Sequence, residues 1–139
     1  MGSVLIVDDS EDTLRVMSLF LARGGHRAVT AASAAEALEK LDDEIPDVAI
    51  IDLMMPRESG MDLLHALRNN PATREMPVIM YSAVSEIRYV HEAMNAGATD
   101  YWLKGSIRPN ELQARLQPYL PNNGAGWAEP PTAHPLPQI

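Results

Sequence analysis

Cysteine is absent from the sequence, which excludes a disulfide framework and thiolate chemistry. Positive charge is scarce. Eleven Lys and Arg stand against 19 Asp and Glu, for a formal net charge of −8 and a pI near 4.8. Such a chain repels phosphate backbones and anionic membranes, so direct nucleic-acid binding is not expected, nor is a membrane surface. No apolar run approaches the ~20 residues of a membrane-spanning helix. Met1-Gly2-Ser3-Val4 runs directly into an apolar stretch, without the basic and long apolar regions of a signal peptide. Gly2 invites comparison with a myristoylation site, but the strand follows too closely to leave a free anchor. A soluble cytoplasmic protein is the expectation. What remains is a chain of 139 residues, 46% apolar, sufficient for one domain with a full core.

Five short apolar runs organise that core. Four end at reactive side chains: Val4-Leu5-Ile6-Val7 at Asp8-Asp9, Val48-Ala49-Ile50-Ile51 at Asp52, Val78-Ile79-Met80-Tyr81 at Ser82, and Tyr101-Trp102-Leu103 at Lys104. The fifth, Ala28-Val29-Thr30-Ala31, ends without one. Amphipathic segments separate the runs. Leu14, Met17 and Leu21 lie at helical spacing, with Val16 and Phe20 beside them, before Gly24-Gly25. Ser33 and Glu36 form a capping box for a second helix reaching about Leu41. Ser59 and Asp62 open a third helix through Arg68, with Met61, Leu64 and Leu67 inward, ended by Asn69-Asn70-Pro71. A fourth helix is expected over about 85–96, and a fifth from about Arg108 to Gln117, with Pro109 in its first turn. Strands alternating with helices predict a parallel sheet with right-handed crossovers and helices on both faces, a (βα)5 three-layer sandwich. Residues 118–139 hold six of the eleven prolines, two glycines and no apolar periodicity. We expect a domain over 1–118 and a Pro/Gly-rich tail over 119–139, with Trp127 as its anchor and no output domain. If the chain is a segment of a longer protein, the tail is a linker.

In an open α/β sheet, ligands bind at the carboxyl ends of the strands, where the strand order reverses. Asp8, Asp9, Asp52, Ser82 and Lys104 all fall there. Two carboxylates 4 Å apart repel by roughly 4 kcal/mol at an effective dielectric of 20, so a cluster of three persists if a cation shares it. All-oxygen ligation without nearby His or Cys favours Mg2+. His26, His65, His91 and His134 are scattered and are expected to be surface or packing residues.

Taken together, these residues resemble the receiver domain of bacterial two-component response regulators, of the stand-alone chemotaxis-regulator type. The matching pieces are Leu5-Ile6-Val7-Asp8-Asp9, Asp52-Leu53-Met54-Met55-Pro56 followed by Gly60, Pro77 through Ala83, and Ala96 through Lys104. They cover roughly residues 3–118 in the family's order. The resemblance implies a flavodoxin-like fold with a five-stranded sheet of order 2-1-3-4-5. It also implies that Asp52 is the phosphoryl acceptor. Asp9, Asp52 and the Met54 carbonyl would ligate Mg2+, with Asp8 acting through water. Lys104 would pair with Asp52 and then with a phosphate oxygen, and Ser82 would hydrogen-bond another. Tyr101 would turn inward as Ser82 moves, altering the face made by helix four, strand five and helix five. Partners would be a sensor histidine kinase or histidine phosphotransfer protein and a downstream protein target, with homodimerisation on phosphorylation as one outcome. The chemistry would be self-catalysed phosphotransfer at Asp52 within a signalling switch, not an enzyme. The alternatives are a receiver-like module signalling by binding alone, and an aspartate-nucleophile phosphatase. Against the phosphatase, the paired acids are adjacent and no capping insertion is present.

The sequence departs from the family pattern at two places. Gly105 follows Lys104 where the family has a cis proline, and a cis bond to a non-proline costs about 2.5–4 kcal/mol, so a trans peptide and a differently shaped loop are expected. Met54 and Val84, two residues after Asp52 and Ser82, are apolar where the family flanks the path of attacking water. Slow loss of the phosphoryl group is the expectation.

Overall fold

The computed structural model describes residues 2–55 and 58–121. Pro56, His134 and Trp127 of the tail lie outside them. The five apolar runs form one parallel sheet: β1 (Ser3–Val7), β2 (Arg27–Ala31), β3 (Val48–Asp52), β4 (Val78–Ser82) and β5 (Asp100–Leu103). Its order is β2-β1-β3-β4-β5, as the resemblance implied. The order reverses between β1 and β3, whose onward connections run to opposite sides of the sheet, so a crevice opens above their carboxyl ends.

Between the strands run α1 (Glu11–Arg23), α2 (Ala34–Asp43), α3 (Gly60–Arg68), α4 (Ile87–Asn95) and α5 (Leu112–Leu116). Alternation along each strand divides the core in two. Leu5, Val7, Ala49, Ile51, Val78, Met80 and Tyr101 face a cluster containing residues of α2, α3 and α4. Val4, Ile6, Val48, Ile50, Ile79 and Trp102 face the other way, onto α1 and α5. With both faces covered, β3 is buried along its whole length, as a central parallel strand must be.

The helix starts follow the capping residues. Ser10 Oγ accepts from Thr13 N–H at 3.2 Å, Ser33 Oγ from Glu36 N–H at 3.1 Å, and Ser59 Oγ from Met61 N–H at 3.0 Å. Glu36 completes its box one residue early, accepting from Ala32 N–H.

Three expectations need adjustment. The fourth helix starts at Ile87, with no side-chain cap at Glu86. In α3 it is Leu63, with Leu64 and Leu67, that is buried, while Met61 is half-buried. The fifth helix is broken: a 3-10 turn at Pro109–Glu111, an α segment of five residues, and a second 3-10 turn at Gln117–Tyr119. Pro118 explains the second break, because it lacks an N–H and its ring opposes the carbonyl four residues earlier. Just beyond the expected boundary at residue 118, Tyr119 and Leu120 are buried against the α1/α5 face of the sheet.

No helix among the described residues is long and apolar enough to cross a membrane.

Candidate functional site

Asp8 and Asp9 follow directly on β1, and Asp52 is the last residue of β3. These strands are neighbours, with Val7 paired to Ile51, so parallel register alone brings the acids together. Ligand oxygens of Asp8, Asp9 and Asp52 all lie within 4.8 Å of one another. Asp8 and Asp52 are buried, at 1% and 3% exposure, whereas Asp9 faces solvent. The cluster is therefore walled by the sheet and open on the side of Asp9.

Backbone donors orient the two buried acids. Ser10 N–H donates to Asp8 Oδ1 at 2.9 Å, and Met54 N–H to Asp52 Oδ1 at 3.1 Å. After Asp52 the chain makes a small antiparallel pair, Met54–Met55 with Glu58–Ser59, and Gly60 N–H returns to the Leu53 carbonyl at 2.9 Å. A Cβ on Gly60 would fall 2.2 Å from the Asp52 carbonyl oxygen. Only glycine lets α3 begin this close to the acidic strand end.

Lys104 enters from the far side of the sheet. Its N–H continues the ladder to the Ser82 carbonyl at 2.8 Å, and its ammonium reaches Asp8 Oδ2 at 2.9 Å and Asp52 Oδ2 at 3.2 Å. All described peptide bonds are trans. The loop after Lys104 instead turns on Gly105, at φ 88°, with Ser106 N–H donating to the Leu103 carbonyl at 3.2 Å. Positive φ at the third position of a turn suits glycine, so the trans peptide expected after Lys104 leads into a tight turn on Gly105.

Burial raises the Asp52 pKa above its ordinary value, and Asp8 adds to the rise. Lys104 and the Met54 N–H oppose it without prevailing. Burial works against the Lys104 ammonium too, yet Asp8 and Asp52 outweigh it and raise its pKa. Although it lies beside Lys104, Asp8 Oδ2 is fully buried without a well-angled hydrogen-bond donor. A buried carboxylate oxygen short of donors, in an all-oxygen group crowded with negative charge, suits a hard divalent cation such as Mg2+.

Ser82 is fully buried at the end of β4, and its Oγ accepts from Val84 N–H at 3.0 Å. The Tyr101 ring lies inside the domain at 3% exposure, and its hydroxyl donates to the Val84 carbonyl at 2.6 Å. Burial raises its pKa, with Ser82 opposing. Ser82 and Tyr101 thus meet the same short segment after β4. Met54 is 57% exposed at the rim of the acid cluster, and Val84 is half-buried.

Sequence reasoning missed two residues around this site, Tyr81 and Glu58, and one at the opposite edge of the sheet, Arg68. Tyr81 places its ring under the Lys104 ammonium, 5.5 Å from Nζ to the ring centroid. Its place immediately before Ser82 was the available signal. Glu58 caps the start of α2 through Ala34 N–H at 2.7 Å, tying the loop after Asp52 to that helix. Arg68 donates to the carbonyls of Gly97, Thr73, Arg74 and Met76. It joins the end of α3 to the loops before β4 and β5. Nothing in its local sequence distinguishes it from a surface arginine.

The response regulator receiver domain matches residues 4–117. The chain belongs to this family. Curated relatives include the phosphate regulon transcriptional regulatory protein PhoB of Pseudomonas aeruginosa, 32% identical over 93% of this chain and 56% of the relative. The transcriptional regulatory protein KdpE of Mycobacterium tuberculosis is 36% identical over 90% of this chain and 54% of its own length. This receiver chain spans about half the length of these relatives. Among solved structures, the Vibrio cholerae chemotaxis protein CheY4 superposes with a TM-score of 0.80 at 32% identity, over 86% of this chain and 99% of that one. The BeF3-activated DrrB receiver domain gives 0.75 at 28% identity, over 86% and 97%.

Proposed function

We propose that this receiver is a phosphorylation-switched signalling module whose acceptor is Asp52. The observation that carries the reading is the meeting of Asp8, Asp9 and Asp52 within 4.8 Å at the mouth of the sheet, with the Lys104 ammonium 3.2 Å from Asp52. Asp9, Asp52 and the Met54 carbonyl would hold Mg2+, with Asp8 joining through water. The ion supplies neutralising charge for the transferred phosphoryl group. Asp52 attacks phosphorus through a carboxylate oxygen, and the new O–P bond forms as the N–P bond of the donor phosphohistidine breaks and its imidazole leaves. Lys104 and the Ser82 hydroxyl then hydrogen-bond phosphate oxygens. The Val84 N–H bond to Ser82 Oγ uses that oxygen as acceptor, so the hydroxyl proton, which lies toward Tyr101 here, can turn to donate to a phosphate oxygen.

The phosphoryl donor is a sensor histidine kinase or histidine phosphotransfer protein, and the readout is the face of α4, β5 and α5, offered to a protein target or to a second copy. Supporting a role for Tyr101 is its hydroxyl contact with the loop that carries Val84, which lies between Ser82 and α4. Residues 1–118, together with Tyr119 and Leu120 packed on the sheet, supply the switch, and the Pro/Gly-rich segment after them acts as a tail or linker. With chemistry confined to Asp52, the module is a switch and not a turnover enzyme. Its acidity and apolar lengths suit a cytoplasmic protein without direct nucleic-acid or membrane contact.

The test is intact mass after incubation with acetyl phosphate. One phosphoryl group should add only with Mg2+ and only with Asp52 present. Absence of any addition to the parent would overturn the reading in favour of signalling by binding alone. Apolar Met54 and Val84 orient water poorly, so the phosphoryl group should be lost slowly. Met54→Asn and Val84→Glu should shorten its lifetime, and equal lifetimes would refute this.

A further inference from the structure

Sheet geometry sets Lys104 a problem of reach. Asp52 ends β3 and Lys104 follows β5, with β4 between them. Adjacent strands lie about 4.8 Å apart, so the ammonium must cross roughly 10 Å of sheet edge. The residue it crosses is Tyr81, paired in register with Asp52 on one side and Trp102 on the other. The Lys104 Nζ lies 5.5 Å from the Tyr81 ring centroid, inside the ~6 Å range in which an aromatic face attracts a cation. Tyr81 packs against the cluster that holds Met17, Trp102, Ile107 and Leu112 and lines a small cavity with them and Arg108, so the ring sits among α1 and α5 side chains.

The carboxylates alone would hold Lys104 through partners that change during the reaction. Asp52 becomes an acyl phosphate, and its pull on the ammonium moves outward to the phosphate oxygens. The ring does not change. We propose that Tyr81 is a positioning residue for Lys104, its aromatic face holding the ammonium above β4 within reach of Asp52 both before and after phosphoryl transfer. This rests on the receiver reading given above. A leucine or methionine there would support the lysine stem by packing but offer the ammonium no π face.

Two measurements test it. The first is the rate of phosphoryl addition from acetyl phosphate with Mg2+, read by intact mass, for the parent, Tyr81→Leu and Tyr81→Phe. Losing the ring should slow addition by about three- to tenfold, and Tyr81→Phe should restore the rate. The second is the NMR position of the lysine ε-methylene protons. The chain has two lysines, Lys40 and Lys104, so Lys40 is an internal reference. Ring current should place the Lys104 signal upfield of Lys40 in the parent and in Tyr81→Phe, and Tyr81→Leu should abolish the displacement. Parent-like phosphorylation of a folded Tyr81→Leu would overturn the proposal, as would coincident lysine signals in the parent. Should Tyr81→Leu fail to fold, Tyr81→Met takes its place, and the parent spectrum remains decisive. If the parent accepts no phosphoryl group, the receiver function fails, while the spectrum still decides the contact.

Discussion

Replacing the proposed acceptor, Asp52→Asn, should make the domain more stable when divalent cations are absent. Oxygens of Asp8, Asp9 and Asp52 lie no more than 4.8 Å apart. At an effective dielectric of 20, each pair repels by roughly 3–4 kcal/mol, while Lys104 attracts Asp52 by roughly 5 kcal/mol. Asparagine removes these charge interactions together with the cost of burying the carboxylate. It still offers an oxygen to the Met54 N–H. Burial and Asp8 already outweigh Lys104, since the Asp52 pKa is raised. The balance therefore favours the neutral side chain, and after solvent screening at the open side we expect a gain of about 1 kcal/mol. Urea unfolding in chelator at pH 7 measures it. The sign with pH follows from linkage. An acid whose folded pKa exceeds its ordinary 3.8 costs nothing below that value, and its cost grows as pH rises to the folded pKa. The advantage of the variant should grow as pH rises from about 3.8 toward the raised folded pKa and disappear below about pH 3.8. Saturating Mg2+ should reverse the order, because ligand binding stabilises the parent while the variant has lost a ligand. A variant less stable than the parent in chelator, or a difference insensitive to acid, would refute the argument.

Other perturbations probe the supporting structure. Gly60→Ala drives a Cβ to 2.2 Å from the Asp52 carbonyl oxygen, so it should cost about 2 kcal/mol or more in urea unfolding and slow phosphorylation by displacing the strand end. Arg68→Leu strips a donor group from four backbone carbonyls and should lower stability by about 2–3 kcal/mol, with hydrogen exchange accelerated at 73–76 and 97. His26 is held neutral by burial, its pKa lowered from 6.5, and its Nδ1 accepts from Gly2 N–H at 3.1 Å. That contribution should be complete above pH 6.5 and fade as pH falls toward the lower folded value, a dependence that His26→Gln should remove from the stability profile. Tyr101→Phe removes the hydroxyl bond to the Val84 carbonyl; it should cost about 1 kcal/mol, and exchange should accelerate at residues 83–86.

What the sequence determined by itself was local or followed from one global rule. Apolar runs of strand length, four of them closed by a reactive polar residue, located all five strands. Parallel topology then brought Asp8, Asp9, Asp52, Ser82 and Lys104 to the same edge, because the carboxyl ends of parallel strands share one side of the sheet. Ser33 and Ser59 were legible as helix starts because a cap is chosen by its own three-residue neighbourhood. Tertiary structure alone decided which side chains meet between elements. That Lys104 crosses Tyr81 depends on β4 standing between β3 and β5. That Arg68 gathers carbonyls from two loops, or that Glu58 caps α2 across 24 residues of chain, depends on where those loops are packed. The break in the fifth helix had a visible cause in Pro118. Its extent was set by how Leu116, Tyr119 and Leu120 bury against the sheet. Periodicity fixes what an element does with its own backbone, while contacts between elements are set by packing after the chain has crossed over itself.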